Sequence, residues 1–474
     1  MAKKDQYILQ LKRAFLFCTK FIKANWQWFI LLSIVGVGAF LRFYLLSSLM
    51  HFDIDEASHV KTTYEMIINH QLIAKGPPTS NGVGLYHGAY YYYLLLIPAL
   101  ISKGNPIIVG GFCALLSTLA VYFLGRAVEI RYGKVSGIIA ALLLAVSYET
   151  VLYGRWIWNP NLVPFFMALS LFALAKVGQK KEKYLILFSF ALGSITQLHV
   201  GGFIFIPIYF LLIPLIYRVT KNKNIWILSV VAALIPWIPT LYYEFAHNFE
   251  MVRGILEMLG NKSELSFWQH ITSGLNYMAF MFDNTLKLPE VTREVFICSG
   301  LIALIAQFKD WKKPESILMP AYLLLSLLFS LLIFSYYPGI LYIHLSEHLF
   351  VVYAILATFL LQILFQHKET IIVSLLVIVF VLQENLLLFK TDIVDGDRQY
   401  ETEKKICQVI KDQSQNNIEI VVNGKTDPVY ITYVCQNRFG INSGKEAKIT
   451  FNSDLRDSFG YSIEKYLPPL SEHK

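Results

Sequence analysis

Three carboxylates fall within four positions in the stretch LMHFDIDEASHV, residues 49–60, directly after a long hydrophobic run. They are Asp53, Asp55 and Glu56, and like charges this close repel one another. Two functional arrangements relieve the crowding. Asp53 and Asp55 would bind a divalent cation, which prefers hard oxygen ligands, or one carboxylate would keep a raised pKa and accept a proton. The structural alternative is a helix N-terminus that favours acidic residues.

The residues after Phe52 have the pattern of a short helix lying on a membrane surface. Apolar positions recur at helical spacing, with polar residues between them. These positions are Val60, Tyr64, Ile67, Ile68 and Leu72. On such a helix Asp55 and His59 are one turn apart and share a face.

The composition places this stretch in a polytopic membrane protein. Of the 474 residues, 55% are hydrophobic and only 16% are charged. Hydrophobic runs of about 17–22 residues recur, each long enough to cross roughly 30 Å of hydrocarbon. The net charge of +8 comes partly from lysines and arginines before the first run, which suits a cytoplasmic N-terminus beside the lipid bilayer. We therefore expect no nucleic acid partner.

We predict an all-α membrane protein with eleven spans and basic loops on the cytoplasmic side. The spans are 26–46, 106–124, 135–152, 160–177, 183–199, 201–217, 225–243, 294–308, 316–337, 347–366 and 370–389. Residues 1–25 form a basic amphipathic cytoplasmic segment and residues 26–389 the membrane domain, with 47–105 as its first extracytoplasmic loop. The apolar stretch within 88–105 is short, so we expect it to insert partly from the outer side; twelve or thirteen crossings stay open.

The last part of the chain, residues 390–474, is polar and predicts a small extracytoplasmic α/β domain. IEIVVNG predicts a strand followed by a turn. Cys407 and Cys435 both fall in this tail. Whether they pair is open; a bond would add about 3–4 kcal/mol in the chain-entropy model.

Most remaining polar residues with chemical potential fall in loops that this topology brings to the outer side. Arg155 would clamp a phosphate with its forked guanidinium, or would snorkel within an interfacial tryptophan belt. Lys75 is a second candidate phosphate ligand. The predicted substrate pocket contains Asp53, His59, His87, Tyr90, Tyr91, Trp156, Asn159, His199, Tyr342, Glu347 and His348. His344 is a further candidate beside Tyr342. The alternative for the residues of this last segment is that they only cap the next span; they are Tyr342, His344, Glu347 and His348.

The sequence resembles the GT-C glycosyltransferases of the dolichyl-phosphate-mannose protein mannosyltransferase and aminoarabinose transferase type. Four features carry the resemblance in order: Asp55-Glu56-Ala57 after the first span, GPPTSNGVGLYHGAYYYYLLLIP, RWIWNPNLVPFF, and the small C-terminal domain. The His-Pro-Pro element of the family is rearranged here to Gly76-Pro77-Pro78 and a separate His87. Asn159 stands where many relatives carry a second acidic residue.

The resemblance implies transfer of a monosaccharide, with inversion, from a polyprenyl phosphate to an acceptor hydroxyl outside the cytoplasm. The acceptor would be a protein, a lipid or a glycan. Asp55 would be the general base, Glu56 would support it, and a divalent metal ion is an open cofactor. Arg155 and Lys75 would bind the donor phosphate.

The main alternative is a lipid-linked sugar flippase or a small-solute transporter. Transporters tend to carry ionisable residues within their spans and to show repeated halves. The predicted spans here are almost free of charge and show no repeat, which favours the enzyme.

Overall fold

The computed structural model describes the membrane domain almost completely and the tail in short pieces. The described residues are 25–79, 85–260, 265–337, 339–395, 404, 407–408, 411–412, 418–422, 425–426, 432–436, 447–451 and 461–465. Residues 1–24 of the predicted amphipathic segment, and much of the predicted domain 390–474, lie outside them.

Helices dominate the described part. In chain order they are α1 (Asn25–Phe43), α2 (Leu46–Leu49), α3 (Ile54–Ile68), α4 (Tyr90–Ser102), α5 (Pro106–Tyr132), α6 (Lys134–Val146), α7 (Tyr148–Tyr153), α8 (Val163–Gly178), α9 (Tyr184–Leu198), α10 (Phe205–Val219), α11 (Lys223–Leu234), α12 (Ile238–Ala246), α13 (Glu250–Gly260), α14 (Phe267–Leu286), α15 (Glu290–Ala306), α16 (Pro314–Tyr336), α17 (His348–Gln366) and α18 (Ile371–Leu388). Short 3-10 helices cover Pro160–Leu162, Val200–Ile204, Ile235–Trp237, Gln307–Asp310 and Ile343–Ser346, and a π-helix covers Phe389–Val394.

The described helices agree with the predicted spans. Eight helical segments are long and apolar enough to cross a membrane, and each coincides with one predicted span. The other three predicted spans, 135–152, 183–199 and 294–308, correspond to the shorter α6, α9 and α15. The chain is therefore an all-α multi-pass membrane protein, as predicted.

Small residues let the spans approach closely. The backbone of α9 at Gly193 lies against Ala233 of α11, where a side chain would collide with the facing carbonyl. Gly125 of α5 and Gly137 of α6 meet in the same way. Close backbone contact of this kind supplies packing energy where lipid offers no hydrophobic drive.

The basic loops lie together at one end of the bundle. Arg131 Nε donates to Ser316 O at 3.0 Å, and Arg218 donates to Lys312 O at 3.3 Å. These contacts join loops that the sequence assigns to one side of the membrane. The loops that carry the predicted site therefore belong to the opposite end.

The buried guanidinium of Arg42 joins the C-terminal end of α1 to neighbouring helices. Its Nε donates to Ser117 Oγ at 2.7 Å, and its terminal nitrogens donate to carbonyls at the end of α6, at Leu144 and Ala145. Cations are favourable at helix C-termini, where carbonyls lack intrahelical partners. This contact fixes the point from which the first loop emerges.

The predicted non-crossing segment forms α4, a helix of 13 residues. At 1.5 Å per residue it is about 20 Å long, shorter than the hydrocarbon layer. Its first turn contacts α3, because the ring of Tyr91 lies 5.1 Å from that of His59. Gly104, just beyond its last turn, packs on Tyr64 of α3. Both ends stay beside α3, which favours partial insertion from one side.

The segment between α12 and α15 contains a helix that the sequence analysis missed. The helix α14 packs on α16 and α17, with His270 Nδ1 bonded to Ser335 O at 2.7 Å and Tyr353 Oη donating to Met278 O at 2.9 Å. Polar residues throughout α14 keep its hydropathy below that of a span. The predicted spans 225–243 and 294–308 leave this segment as a loop.

The tail contains the predicted sheet. Its strands are β3 (Ile418–Val422), β4 (Lys425–Thr426), β5 (Ala447–Phe451) and β6 (Tyr461–Lys465), in the order β4-β3-β5-β6. β3 pairs in parallel with β5, and the other neighbours are antiparallel. A disulfide joins Cys407 and Cys435, and the Tyr433 hydroxyl donates to Gly104 O at 2.6 Å. The tail therefore docks beside the first loop.

Removal of this disulfide should loosen the tail. The bond closes a loop with a sequence separation of 28, which corresponds to about 3–4 kcal/mol in the chain-entropy model. We expect a Cys407→Ser/Cys435→Ser variant to lose its tail to thermolysin much faster than the parent protein. Cys298→Ser, at an exposed free cysteine, is the matched control. Equal cleavage rates in all three proteins would contradict this account.

Candidate functional site

The acidic stretch begins helix α3, and two of its three carboxylates cap that helix. Asp53 is the N-cap residue, and its Oδ1 accepts from the Ile54 N–H at 2.7 Å. Glu56 accepts from the Asp53 N–H at 2.9 Å, which completes a capping box. The second Glu56 oxygen lies 3.1 Å from His51 Nδ1. The structural alternative therefore accounts for Asp53 and Glu56.

Asp55 is different, because its carboxylate has no hydrogen-bond or salt-bridge partner in the described part of the chain. Its side chain is exposed to solvent, yet the surrounding protein partly desolvates it. Burial raises the pKa of Asp55; the nearby His59 opposes the shift, and the negative Glu56 and Asp53 add to it. Of the three carboxylates in the acidic stretch, Asp55 is thus the unpaired one, and its pKa is shifted toward proton acceptance.

His59 lies one helical turn from Asp55 and connects α3 to the loop after α7. Its Nδ1 bonds to Ile157 O at 3.2 Å, so this nitrogen carries the proton and donates. Tyr91 packs edge-on against the ring with centroids 5.1 Å apart. Burial lowers the pKa of His59, so the ring is neutral. Asp55 and His59 lie one turn apart on the same helix, as the sequence predicts.

A row of rings extends from the acidic stretch across two other loops. His51 stacks on Trp156 at 4.1 Å between centroids, and Trp156 lies 6.4 Å from Trp158. Trp158 packs against His344 at 4.6 Å, and His344 stacks on the exposed ring of Tyr342 at 5.4 Å. The row therefore brings together three loops that we expected in one compartment.

The same region contains a stacked pair of imidazoles, His87 and His199, with centroids 4.5 Å apart. Strand β2 (Tyr86–Gly88) carries His87 and pairs with β1 (Lys75–Pro78). Gly88 lies directly against Gln197, where any side chain would collide. Gly201 packs equally closely on Leu345 O. These close approaches bring His87, His199 and His344 side by side.

Arg155 has a structural position that the prediction of a phosphate ligand did not anticipate. The residue is 1% exposed, and its guanidinium donates to Leu41 O at 3.0 Å, Arg42 O at 3.1 Å and Tyr44 O at 3.0 Å. Those carbonyls end α1 and would otherwise lack partners. Arg155 therefore caps α1, and we do not carry it into the donor site.

Lys75 lies on β1, close to the histidine cluster, and is already engaged. Its Nζ is 3.7 Å from Glu250 Oε1 and 3.5 Å from the centroid of the Tyr86 ring. The Tyr243 hydroxyl donates to the other Glu250 oxygen at 2.5 Å. These contacts position Lys75 on β1, and its predicted phosphate contact stays a prediction.

Four further predicted pocket residues make contacts typical of packing. Asn159 donates to Leu198 O at 2.6 Å and holds the loop before α8 to the end of α9. Tyr90 accepts from Ser194 Oγ at 3.3 Å. His348 Nε2 lies 2.8 Å from Ser330 Oγ. Tyr342 is half exposed beside His344, and of these four it alone borders the row of rings.

Glu347 is a buried carboxyl group without a partner. It is 1% exposed, and neither oxygen has a hydrogen bond in the described structure. Burial, reinforced by the charge of Glu149, raises the pKa of Glu347 well above its ordinary value. Glu149 itself is paired with Lys287 at 2.9 Å. Glu347 therefore holds its proton more strongly than an ordinary glutamate.

The donor set does not fit a resident metal ion. In the described residues, no three His, Cys, Asp or Glu side chains converge in a group that could hold one. The predicted ligand Asp53 is occupied by its cap. We derive no step through a metal.

Sequence reasoning missed His51 and the Glu149–Lys287 pair. His51 immediately precedes the acidic stretch and could have been found as a neighbour of Glu56. The ion pair joins residues 138 positions apart, and no local pattern signals a contact at that separation.

Comparison with known proteins places this geometry in a family context. Residues 87–243 match the family model described as dolichyl-phosphate-mannose-protein mannosyltransferase. A sequence search of curated proteins finds no match.

Solved structures resemble this chain over more than 90% of its length. The crystal structure of ArnT from Cupriavidus metallidurans in the apo state has a TM-score of 0.58 at 11% sequence identity, over 91% of this chain and 93% of that one. The same protein bound to undecaprenyl phosphate gives 0.57 at 12% identity, over 94% and 99%. The Archaeoglobus fulgidus oligosaccharyltransferase in complex with Zn and sulfate gives 0.53 at 12% identity, over 91% and 73%.

The chain is therefore a multi-pass membrane protein with the GT-C fold. The comparisons confirm its resemblance to the GT-C glycosyltransferases of the protein mannosyltransferase and aminoarabinose transferase type.

Replacement of Arg155 should act on stability. Arg155→Ala leaves buried carbonyls unpaired, which costs about 3 kcal/mol, so the thermal midpoint in detergent should fall. Arg155→Lys keeps the charge but lacks the forked guanidinium, so its thermal midpoint should lie between those of the parent protein and Arg155→Ala. An unchanged midpoint for Arg155→Ala would contradict the cap.

The buried Glu347 should make stability depend on pH. Because its pKa is raised on folding, the folded state keeps a proton that the unfolded chain releases above about pH 4.5. Its contribution is therefore largest at low pH and declines as the pH rises toward the folded pKa. Between pH 5 and 8 the thermal midpoint of the parent protein should fall more than that of Glu347→Gln. Glu369→Gln, at an exposed site, is the control, and its thermal midpoint should depend on pH as that of the parent protein does. If Glu347→Gln also showed the pH dependence of the parent protein, the raised pKa of Glu347 would be refuted.

Proposed function

We propose that this protein is a glycosyltransferase that moves a monosaccharide from a polyprenyl phosphate to an acceptor hydroxyl on the extracytoplasmic side. The observation that carries the proposal is the unpaired Asp55 carboxylate at the start of α3, in a chain with the GT-C fold. The match of residues 87–243 to the mannosyltransferase family model supports the reaction class.

Asp55 acts as the general base. An acceptor hydroxyl becomes a better nucleophile as it loses its proton, and a positioned carboxylate contributes about 10²–10⁴-fold to such a step. The new glycosidic bond forms from the hydroxyl oxygen to the anomeric carbon as the bond to the phosphate oxygen breaks. The proton moves to Asp55, and polyprenyl phosphate leaves. Attack opposite the phosphate gives inversion.

The neighbours of Asp55 suit this task. Glu56 and Asp53 are committed to the helix cap, so they hold Asp55 at the start of α3 without pairing with it. His59 is neutral and fixed to Ile157, so it cannot neutralise the carboxylate. The exposed Tyr342 and the ring of Trp156 offer apolar faces of the kind that pack on sugars.

Both substrates can be placed by their chemistry. The ArnT structure that resembles this chain binds undecaprenyl phosphate, which supports a polyprenyl phosphate as the donor's carrier. Its isoprenoid chain would lie between spans while the phosphate reaches the loops. The acceptor, whether protein, lipid or glycan, would approach from the open side where Asp55 is exposed.

Two observations support an extracytoplasmic site. The basic loops gather at the opposite end of the bundle, as the positive-inside rule expects of the cytoplasmic end. The tail docks beside the first loop and contains the Cys407–Cys435 disulfide. Disulfides persist mainly in oxidising compartments.

Asp55→Asn should abolish transfer while the protein still folds. The amide keeps the shape of the side chain but cannot accept the proton, so we expect a loss of about 10²-fold or more. The assay follows release of polyprenyl phosphate from radiolabelled polyprenyl-phosphate monosaccharides in proteoliposomes. Glu65→Gln makes the same type of change at an exposed position on α3 and should retain parent activity. An active Asp55→Asn enzyme would remove the base from the mechanism.

The raised pKa of Asp55 gives a second test of the same site. Because the base must be ionised, kcat/KM should fall on the acid side with an apparent pKa above that of an ordinary aspartate, about 3.9. An acid limb at or below that value would contradict the assigned environment.

A further inference from the structure

The imidazoles of His87, His199 and His344 form a cluster that the proposed proton transfer does not use. His87 and His199 stack with centroids 4.5 Å apart, and His344 meets His199 edge-on at 5.6 Å. The three rings come from β2, the end of α9 and the 3-10 helix before α17. Three separate elements thus converge on one imidazole cluster.

The hydrogen bonds of the stacked pair fix where each ring carries its proton. The Val200 N–H donates to His87 Nδ1 at 3.3 Å, and the Gly201 N–H donates to His199 Nδ1 at 3.1 Å. A ring nitrogen that accepts a hydrogen bond cannot hold a proton, so the proton of each neutral imidazole is on Nε2. Both rings therefore present an Nε2–H donor.

These donors have no protein partner in the described part of the chain. The His87 and His199 hydrogen bonds use Nδ1 alone. His199 is only 5% exposed. Neither Nε2 atom is fully buried, so both N–H donors stay accessible to a ligand. The pair is thus a preorganised set of hydrogen-bond donors.

The cluster also stays uncharged. Burial lowers the pKa of His87 to about 3, with the fields of His344 and His59 adding to the effect. Burial lowers the pKa of His344 to about 4. The nearest lysine, Lys75, is engaged by Glu250 and Tyr86. The cluster therefore offers N–H dipoles rather than positive charge.

A site built from donors alone suits a ligand built from acceptors alone. The non-bridging oxygens of a phosphodiester only accept hydrogen bonds, whereas a sugar hydroxyl also needs an acceptor for its own proton. Hydrogen bonds to ionised oxygens are stronger than those between neutral groups. A phosphodiester is therefore the better match to the paired Nε2–H groups.

The cluster is also suitably placed relative to the base. His59 is one turn from Asp55 on α3, and it is near enough to both Asp55 and His87 to influence their pKa values. The carboxylate and the donor pair therefore both lie near His59. Base and leaving group must lie on opposite faces of the sugar in an inverting transfer.

We propose that the Nε2–H groups of His87 and His199, with His344 beside them, bind the phosphate of the polyprenyl donor. The inference rests on the proposed function and names the donor's anchor within it. Phosphate recognition by this cluster uses uncharged dipoles, whereas the sequence pointed to the cations of Arg155 and Lys75.

Paired substitutions at each histidine separate its two nitrogens. In His199→Asn the amide oxygen can still accept from the Gly201 N–H, but no group reaches the Nε2 position. His199→Gln places an amide N–H near that position. The same pair of changes applies to His87. Each Asn variant should weaken phosphate binding, and each Gln variant should retain most of it.

The probe is farnesyl phosphate, a sugar-free isoprenyl phosphate, titrated into the full-length protein in detergent. We expect its Kd to rise about tenfold in each Asn variant, which corresponds to loss of one hydrogen bond to a charged group, and less than about threefold in each Gln variant. Farnesol, which lacks the phosphate, should bind all variants alike. Thermal midpoints of the variants confirm that they are folded.

Three outcomes would overturn the inference. Equal binding of farnesyl phosphate by the parent and the folded Asn variants would exclude the imidazoles. Equal weakening of farnesol would show a structural effect. Inorganic phosphate that binds as tightly as farnesyl phosphate would identify a free-phosphate site.

Failure of the proposed function can be distinguished from failure of the phosphate-binding inference. Asp55→Asn should keep normal farnesyl phosphate binding, because the base does not touch the phosphate. A parent protein that binds farnesyl phosphate through the histidines but releases no polyprenyl phosphate from any labelled donor would refute the transfer and leave the binding site standing.

Discussion

The site depends on how the chain resolves the crowding of three carboxylates at the start of α3. The capping box commits Asp53 and Glu56 to backbone N–H groups, and His51 holds the second oxygen of Glu56. Because both neighbours are occupied, Asp55 alone keeps an unpaired carboxylate. The positive end of the α3 dipole helps the helix start to tolerate this charge. Local capping therefore leaves Asp55 as the unpaired carboxylate that we propose as the base.

The rest of the structure positions other loops around that group with neutral contacts. Arg155 satisfies the carbonyls where α1 ends, and Arg42 joins α1 to the carbonyls at the end of α6, so the first loop leaves the bundle at a fixed point. His59 joins α3 to the loop after α7, and the stacked rings join that loop to His344. None of these contacts pairs Asp55 with a counter-ion, so its carboxylate stays available.

Much of the fold could be read from the sequence, because spans are signalled by local hydropathy and orientation by charge. The capping of α3 could not be separated from a functional role in advance, since both use the same acidic residues. Asp55 was singled out only by the resemblance, and the structure distinguishes it by what its neighbours bond to. Helix α14 was missed because its polar residues contact α16, and such contacts are invisible in hydropathy.

Arg155 shows the limit most clearly. A guanidinium in an aromatic loop has the chemistry of a phosphate ligand, but the carbonyls it caps belong to residues more than a hundred positions away. Likewise, the protonation pattern of His87 and His199 depends on backbone N–H groups of Val200 and Gly201. Such partners follow from tertiary packing, which a single sequence does not specify.

The central claim is geometric: an Asp55 oxygen lies on the side of the donor's anomeric carbon opposite the donor phosphate. A cryo-EM structure with a non-hydrolysable polyprenyl-phosphonate sugar tests it directly. The account predicts the carboxylate on the acceptor side, with the phosphonate across the sugar from it. A carboxylate on the phosphonate side, or turned away from the sugar, would contradict the account.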